Sequence, residues 1–192
     1  MSSIILDLQP FLDLTDDQYY ELCRKHPDLK LERNSSGQLI IMPPTGGETG
    51  RKNADIVSQL VVWNKKKKLG VVFDSSTEFK LPLGSDRSPD AAWIKLERWR
   101  SLSDEAKKKF PPLCPDFIIE LRSESDSLKE LRAKMQEYLE NGMALGWLID
   151  PQNQQVEIYQ QNQEVEIINS PQTLSCKEIL PEFILDFTEI WD

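Results

Sequence analysis

The segment Pro115-Asp116-Phe117-Ile118-Ile119-Glu120-Leu121 constrains this chain more than any other. Its apolar residues are consecutive rather than alternating, which is the pattern of a strand buried on both faces in the middle of a sheet. A second run of the same kind, Leu145 to Asp150, is followed by the period-two runs 155–159 and 164–168, which read as further strands. Around these lie segments with helical spacing. Thr15 caps a first helix that carries Asp16 and Asp17 in its opening turn and stops at Pro27. Ile56, Val57, Leu60, Val61 and Trp63 mark a long amphipathic helix over Thr49–Trp63, closed by Lys65–Lys68. Ser103 caps a short helix, and a further helix runs from Ser127 to Asn141 with Gly142 as its stop. Strand candidates at Leu29–Arg33 and Gln38–Met42 form a hairpin through Asn34–Gly37, and Val71–Asp74, Glu78–Leu81 and Asp90–Ile94 continue as a meander. The order predicts an α/β fold built on one mixed, partly antiparallel sheet flanked by helices.

A chain of 192 residues fits one domain, with residues 1–28 as a helical cover and 29–192 as the core. No apolar run approaches the roughly 18 residues of a membrane span, and the start, with Asp7 and Asp13 and no basic segment, does not read as a secretory signal. The expected location is the cytoplasm. Cys23, Cys114 and Cys176 have no metal-ligand spacing and read as small buried hydrophobes, and the single histidine, His26, reads as structural. Gly46-Gly47 lack the frame of a phosphate-binding loop, so nucleotide cofactors are not expected. The net charge of −9 at first argues against a nucleic-acid partner, since phosphate neutralisation drives such binding. The acidity is uneven, however: residues 1–109 hold 18 lysines and arginines against 16 acids, and residues 110–192 hold 5 against 16.

What remains is a set of acids in apolar settings. Asp90 opens a short apolar strand and Glu120 follows Phe117-Ile118-Ile119, where a solitary carboxylate is costly unless neutralised or bound to metal. Asp90 could instead cap the turn after Pro89, and Glu120 could simply emerge into water. Taken together, two carboxylates converging from neighbouring strands match the oxygen preference of Mg2+ or Mn2+. On the helical wheel Leu128, Leu131, Met135, Tyr138 and Leu139 share one face, and Lys134 lies at its margin, placed either to snorkel to water or to reach the acids. Arg122 stands two residues after Glu120, but arginine is a phosphate clamp rather than a proton carrier, so Lys134 is the better candidate cation.

The blocks PTGGETG, FDSSTEFKLP, SPDAAWI, LERWRSL, FPPLCPDFIIELRSESDSL, KMQEYLENG and LGWLIDP, in that order, resemble the Uma-type family of restriction-endonuclease-like proteins in the PD-(D/E)xK nuclease superfamily. The resemblance implies a restriction-endonuclease-like core and a Mg2+- or Mn2+-dependent endonuclease acting on DNA. It implies Asp90, Glu120 and, before the first core helix, Glu48 as metal ligands, with Lys134 as a relocated motif lysine. Many relatives carry a histidine after the acid equivalent to Glu48, where this chain has Thr49. Lys65–Lys68 read either as a solvated helix end or, with Arg51 and Lys52, as contacts to backbone phosphates, and the edge-like runs 155–159 and 164–168 with Trp191 either serve a homodimer or form a hairpin packed within one chain. The competing expectation, motivated by the acidic C-terminal half and by Arg122, is a catalytically silent nuclease-fold binding or assembly module.

Overall fold

In the computed structural model, which describes residues 3–192, all five residues of Phe117–Leu121 are buried, and so are all six of Leu145–Asp150. The elements run β1 (Ile4–Leu6), α1 (Asp16–Lys25), β2 (Lys30–Arg33), β3 (Leu39–Met42), α2 (Gly47–Lys67), β4 (Gly70–Asp74), β5 (Phe79–Lys80), β6 (Asp86–Arg87) and β7 (Ala91–Lys95). They continue as α3 (Leu96–Ser101), α4 (Asp104–Lys108), β8 (Phe117–Leu121), α5 (Leu128–Glu140), β9 (Leu145–Asp150), β10 (Gln155–Gln160), β11 (Glu166–Asn169), β12 (Thr173–Leu174), β13 (Leu185–Asp186) and α6 (Thr188–Trp191).

Local chemistry sets the helix ends. Thr15 and Gln18 form a reciprocal capping box on α1. The Ser103 and Ser127 hydroxyls accept from the amides of Ala106 and Glu130 at the starts of α4 and α5. Lys68 ends α2 in a left-handed conformation, and Gly142 does the same just beyond α5.

The central sheet has six strands in the order β11-β10-β9-β8-β7-β4, mixed because β8 and β9 run parallel while the other pairs are antiparallel. Helices cover both faces. Ile56, Leu60 and Trp63 of α2 pack with Trp93, Phe117, Ile119 and Trp147 on one side. Met135 and Tyr138 of α5 pack with Ala92, Ile94, Ile118 and Leu148 on the other. Burial on both faces explains the unbroken apolar runs, and the period-two pleat turns Ile118 and Glu120 toward α5. Gly146, opposite Ile118, lets α5 approach: a Cβ there would meet the Met135 and Met143 methyls at 2.5 Å.

The central mixed sheet flanked by helices is the one expected, but the expected meander is split between it and a second sheet. β1, β3, β2, β6 and β5 form a second, five-stranded antiparallel sheet, and β12 pairs with β13 alone. Strand periodicity reports which face is buried, not which partner is chosen, and β2 meets β6 across more than fifty residues of chain. The N-terminal segment also departs from an all-helical cover. Its β1 residues are exposed and held by pairing with β3, which leaves no hydrophobic pattern to read.

Cys114 is buried as expected, but Cys23 and Cys176 are only half-buried; all three are free thiols. Among the described residues no helix is long and apolar enough to cross a membrane.

Candidate active site

Asp90 and Glu120 come together because β7 and β8 are antiparallel neighbours. Ala91 pairs with Ile119, so one further step of the register sets Asp90 beside Glu120. One oxygen of each carboxylate is committed to the protein. Asp90 Oδ2 accepts from the Leu121 amide at 2.8 Å. Glu120 Oε1 accepts from the Tyr138 hydroxyl at 2.9 Å and from Lys134 Nζ at 2.8 Å. Asp90 Oδ1 and Glu120 Oε2 take no hydrogen bond from the described residues. Glu120 does not emerge into water: it is 3% exposed. Burial pushes its carboxyl up to about 7, against the pull of Lys134 and with the Asp90 charge adding to the rise. Burial raises Asp90 too, opposed by the nearby Lys30 charge.

Lys134 leaves α5 at the margin of its apolar face and turns inward. Its ammonium lies 2.8 Å from Glu120 and 2.9 Å from Glu32 Oε1. Burial alone would discharge it, but these two carboxylates hold its pKa above the ordinary lysine value. Arg122, the other candidate cation, points away and donates to Asp150 Oδ2 at 2.8 Å. Its backbone pairs with Ile149, so the residue after Glu120's neighbour follows the sheet and not the acids.

Glu32 is the residue sequence reasoning missed. It sits on β2 at 2% exposure and accepts from the Ser88 amide, Arg87 Nη1 and Lys134 Nζ, each at 2.9 Å. Burial acts to raise its carboxyl, yet Lys134 and Arg87 outweigh it and hold it down to about 2. Arg87 also grips Glu137 of α5. The only signal in the chain was a pair of adjacent opposite charges, Glu32-Arg33, in a four-residue strand with both faces covered.

These groups line a cavity of about 1010 Å3 between the second sheet and α5. Ile5, Ile40 and Met42 form an apolar wall, and Lys30 and Glu32 stand beside them on the same face. The opposite wall comes from Ser123–Ser127 and the Glu130, Lys134 and Glu137 side of α5.

Glu48 lines the rim of this cavity but is not gathered with the other acids. It lies in the first turn of α2, where its side chain is 78% exposed and pairs with Arg51 one turn on. Among the described residues no three histidine, cysteine, aspartate or glutamate side chains are grouped to hold a metal ion. The lysine run lies at the other end of α2. Lys65 is seventeen residues along α2 from Glu48, about 26 Å at 1.5 Å per residue, and Lys67 pairs with Glu182 at that far end. Trp191 is half-buried, stacking on Phe187 and donating to the Pro171 carbonyl. Of the two C-terminal runs, β10 is an interior strand and β11 lies at a sheet edge, as β4 does on the opposite side.

The donor set fits a divalent cation. Two adjacent carboxylates each keep one oxygen unengaged by protein, and their mutual repulsion is what such an ion would relieve.

No curated protein matches the chain. A crystal structure of a "putative nuclease belonging to DUF820 from Anabaena variabilis ATCC 29413" superposes with a TM-score of 0.77 over 93% of this chain and 97% of that one, at 21% sequence identity, which establishes the fold. The model of the Uma2 family matches residues 16–188. The chain therefore belongs to the Uma2 family, whose description is "Putative restriction endonuclease".

Proposed function

We propose that this protein is a metal-dependent endonuclease that hydrolyses DNA phosphodiester bonds through a PD-(D/E)xK site with a relocated lysine. The observation that carries the reading is the convergence of Asp90, Glu120 and Lys134 on one cavity, each acid keeping an unengaged oxygen. Asp90 and Glu120 would hold Mg2+ or Mn2+, with the exposed Glu48 as the third carboxylate of the set. Such a cation, when bound, supplies an activated water and balances charge on the phosphoryl oxygens.

The chain's own residues do the rest. The Leu121 amide and the Tyr138 hydroxyl fix the two acids by one oxygen each, which orients the other toward the cavity. Lys134 stays charged and, among the described residues, is the only lysine in contact with Glu120, placed to stabilise negative charge developing on a phosphate seated over the acids. The covered floor, walled by Met42 and Leu131, lowers the local dielectric and strengthens that interaction. A homodimer acting on both strands of a duplex belongs to the same proposal, with the open β11 edge, where Ile167 and the preceding Val165 are exposed, as its surface.

The test is a cleavage panel over single-stranded, duplex and branched DNA with Mg2+ or Mn2+, run beside Asp90→Ala and paired with calorimetric titration of the metal. Metal-dependent cleavage by the wild type that Asp90→Ala abolishes is the expected result. Absence of cleavage from every substrate, with metal binding unchanged in Asp90→Ala, would sink it. A second reading, a silent binding or assembly module, is favoured by one observation: Glu48 stands apart, so three acids are not gathered as a ready metal cage.

A further inference from the structure

We propose that Glu32 is a positioning residue that keeps Lys134 aimed at the reacting phosphate once a cation has taken up Glu120; this rests on the nuclease reading of the site. Lys134 has two carboxylate partners, Glu120 at 2.8 Å and Glu32 at 2.9 Å. With a divalent ion held on Glu120, the ammonium would share that carboxylate's charge with a second cation and would be repelled by it. Glu32 is then the anion that holds the ammonium in place.

The mounting of Glu32 suits that task. Both of its oxygens are engaged: Oε1 accepts from the Ser88 amide and from Lys134, and Oε2 from Arg87 Nη1. Arg87 in turn reaches Glu137 on α5, one turn from Lys134. Ser88 lies two residues before Asp90, so a single carboxylate ties the lysine's helix to the strand that presents the metal-side acid. The second sheet thereby becomes part of the site, because β2 brings Glu32 and β6 brings Arg87. A residue of this kind acts through its neighbour, and loss of such outer partners lowers activity about 10- to 100-fold in comparable sites.

Glu32→Gln keeps the shape and an acceptor for the Ser88 amide while removing the charge. In the metal-dependent cleavage assay it is expected to lower kcat about 10- to 100-fold, with KM and the calorimetric affinity for Mg2+ unchanged. Glu32→Asp, which keeps the charge on a shorter stem, should recover part of the loss. In a Lys134→Met background Glu32→Gln should cost nothing further, as expected of two groups acting as one unit. Acetylation of Lys134, followed by mass spectrometry on the Mg2+-loaded protein, reads the same positioning without turnover. Lys134 is expected to be protected in the wild type and modified several-fold faster in Glu32→Gln. An unchanged kcat, an additive double variant, or equal acetylation of wild type and variant would each overturn the proposal. Absence of cleavage by the wild type would count against the nuclease reading alone, since the acetylation comparison still decides whether Glu32 holds Lys134.

Discussion

Glu120→Gln should make the metal-free protein more stable at alkaline pH while removing its response to metal. In an unfolded chain this carboxyl titrates near 4.5, and in the fold it is pushed up to about 7, chiefly by burial and further by the Asp90 charge, against the pull of Lys134. Below pH 4.5 both states hold the proton and no difference arises. As pH rises from 4.5 to about 7 the unfolded chain ionises while the native one resists, so stability falls across that window and stays reduced above it. At about 1.4 kcal/mol per pH unit the displacement is worth about 3 kcal/mol. Glutamine imitates the protonated acid at every pH. Lys134 remains paired with Glu32, so the substitution does not orphan a buried charge. Thermal denaturation at pH 4 and pH 8 should therefore show matching Tm values at the first pH and a gain at the second of about 6 to 12 °C for a chain of this size. Adding Mg2+ at pH 8 should raise the wild-type Tm, by relieving the repulsion between Asp90 and Glu120, and leave Glu120→Gln unmoved. A variant less stable than wild type at pH 8, or one that gains as much from Mg2+, would refute the reasoning.

Three further outcomes follow from individual contacts. Glu78, buried against Tyr19 on the far face of the second sheet, is pushed up to about 8 by desolvation, despite the hydrogen bond from the Tyr19 hydroxyl. Its native proton is lost only above that value, so Glu78→Gln should stabilise the protein from pH 4.5 upward, by about 3 kcal/mol near neutrality, measurable by urea denaturation at pH 4 and 7. Gly70→Ala should be strongly destabilising, by about 3 kcal/mol in the same assay. Its Cβ would collide with the Ile94 carbonyl and the Trp93 indole, where β4 meets β7. Arg122→Met should reduce stability by breaking the bond to the buried Asp150 yet leave kcat for DNA cleavage unchanged, whereas Lys134→Met should lower kcat severely, to a residual rate that is still measurable.

The parts of this fold that could be read from the chain are those whose cause is local. The Thr15 and Ser103 caps and the Gly142 stop each act within a turn, and each is where the sequence places it. The two apolar runs were legible for a related reason, because a strand covered on both faces needs no register to be recognised. Asp90 and Glu120 were legible as anomalies, acids beside strands that have no use for charge. Glu48 was carried by resemblance alone, and the structure leaves it on the rim beside Arg51.

Glu32 fails both tests, and the reason explains what the second sheet is for. Lys30 and Glu32 face the cavity, while Leu31 and Arg33 turn toward the other side, where Arg33 is neutralised by Asp86 and Asp16. Both faces of β2 thus bury charge, and neither gives an amphipathic pattern. Each charge is stabilised by a partner more than ten residues away in the chain: Lys134 and Arg87 for Glu32, Asp86 for Arg33. A buried ion pair of this kind is costly to assemble and seldom the cheapest way to stabilise a sheet. Apolar residues on β2 would have packed against Ile40 and Met42 without that desolvation cost. The second sheet is therefore better explained as a mount for charge over the cavity than as added core, and its one acid aimed at Lys134 is the strongest reason to treat Glu32 as part of the site.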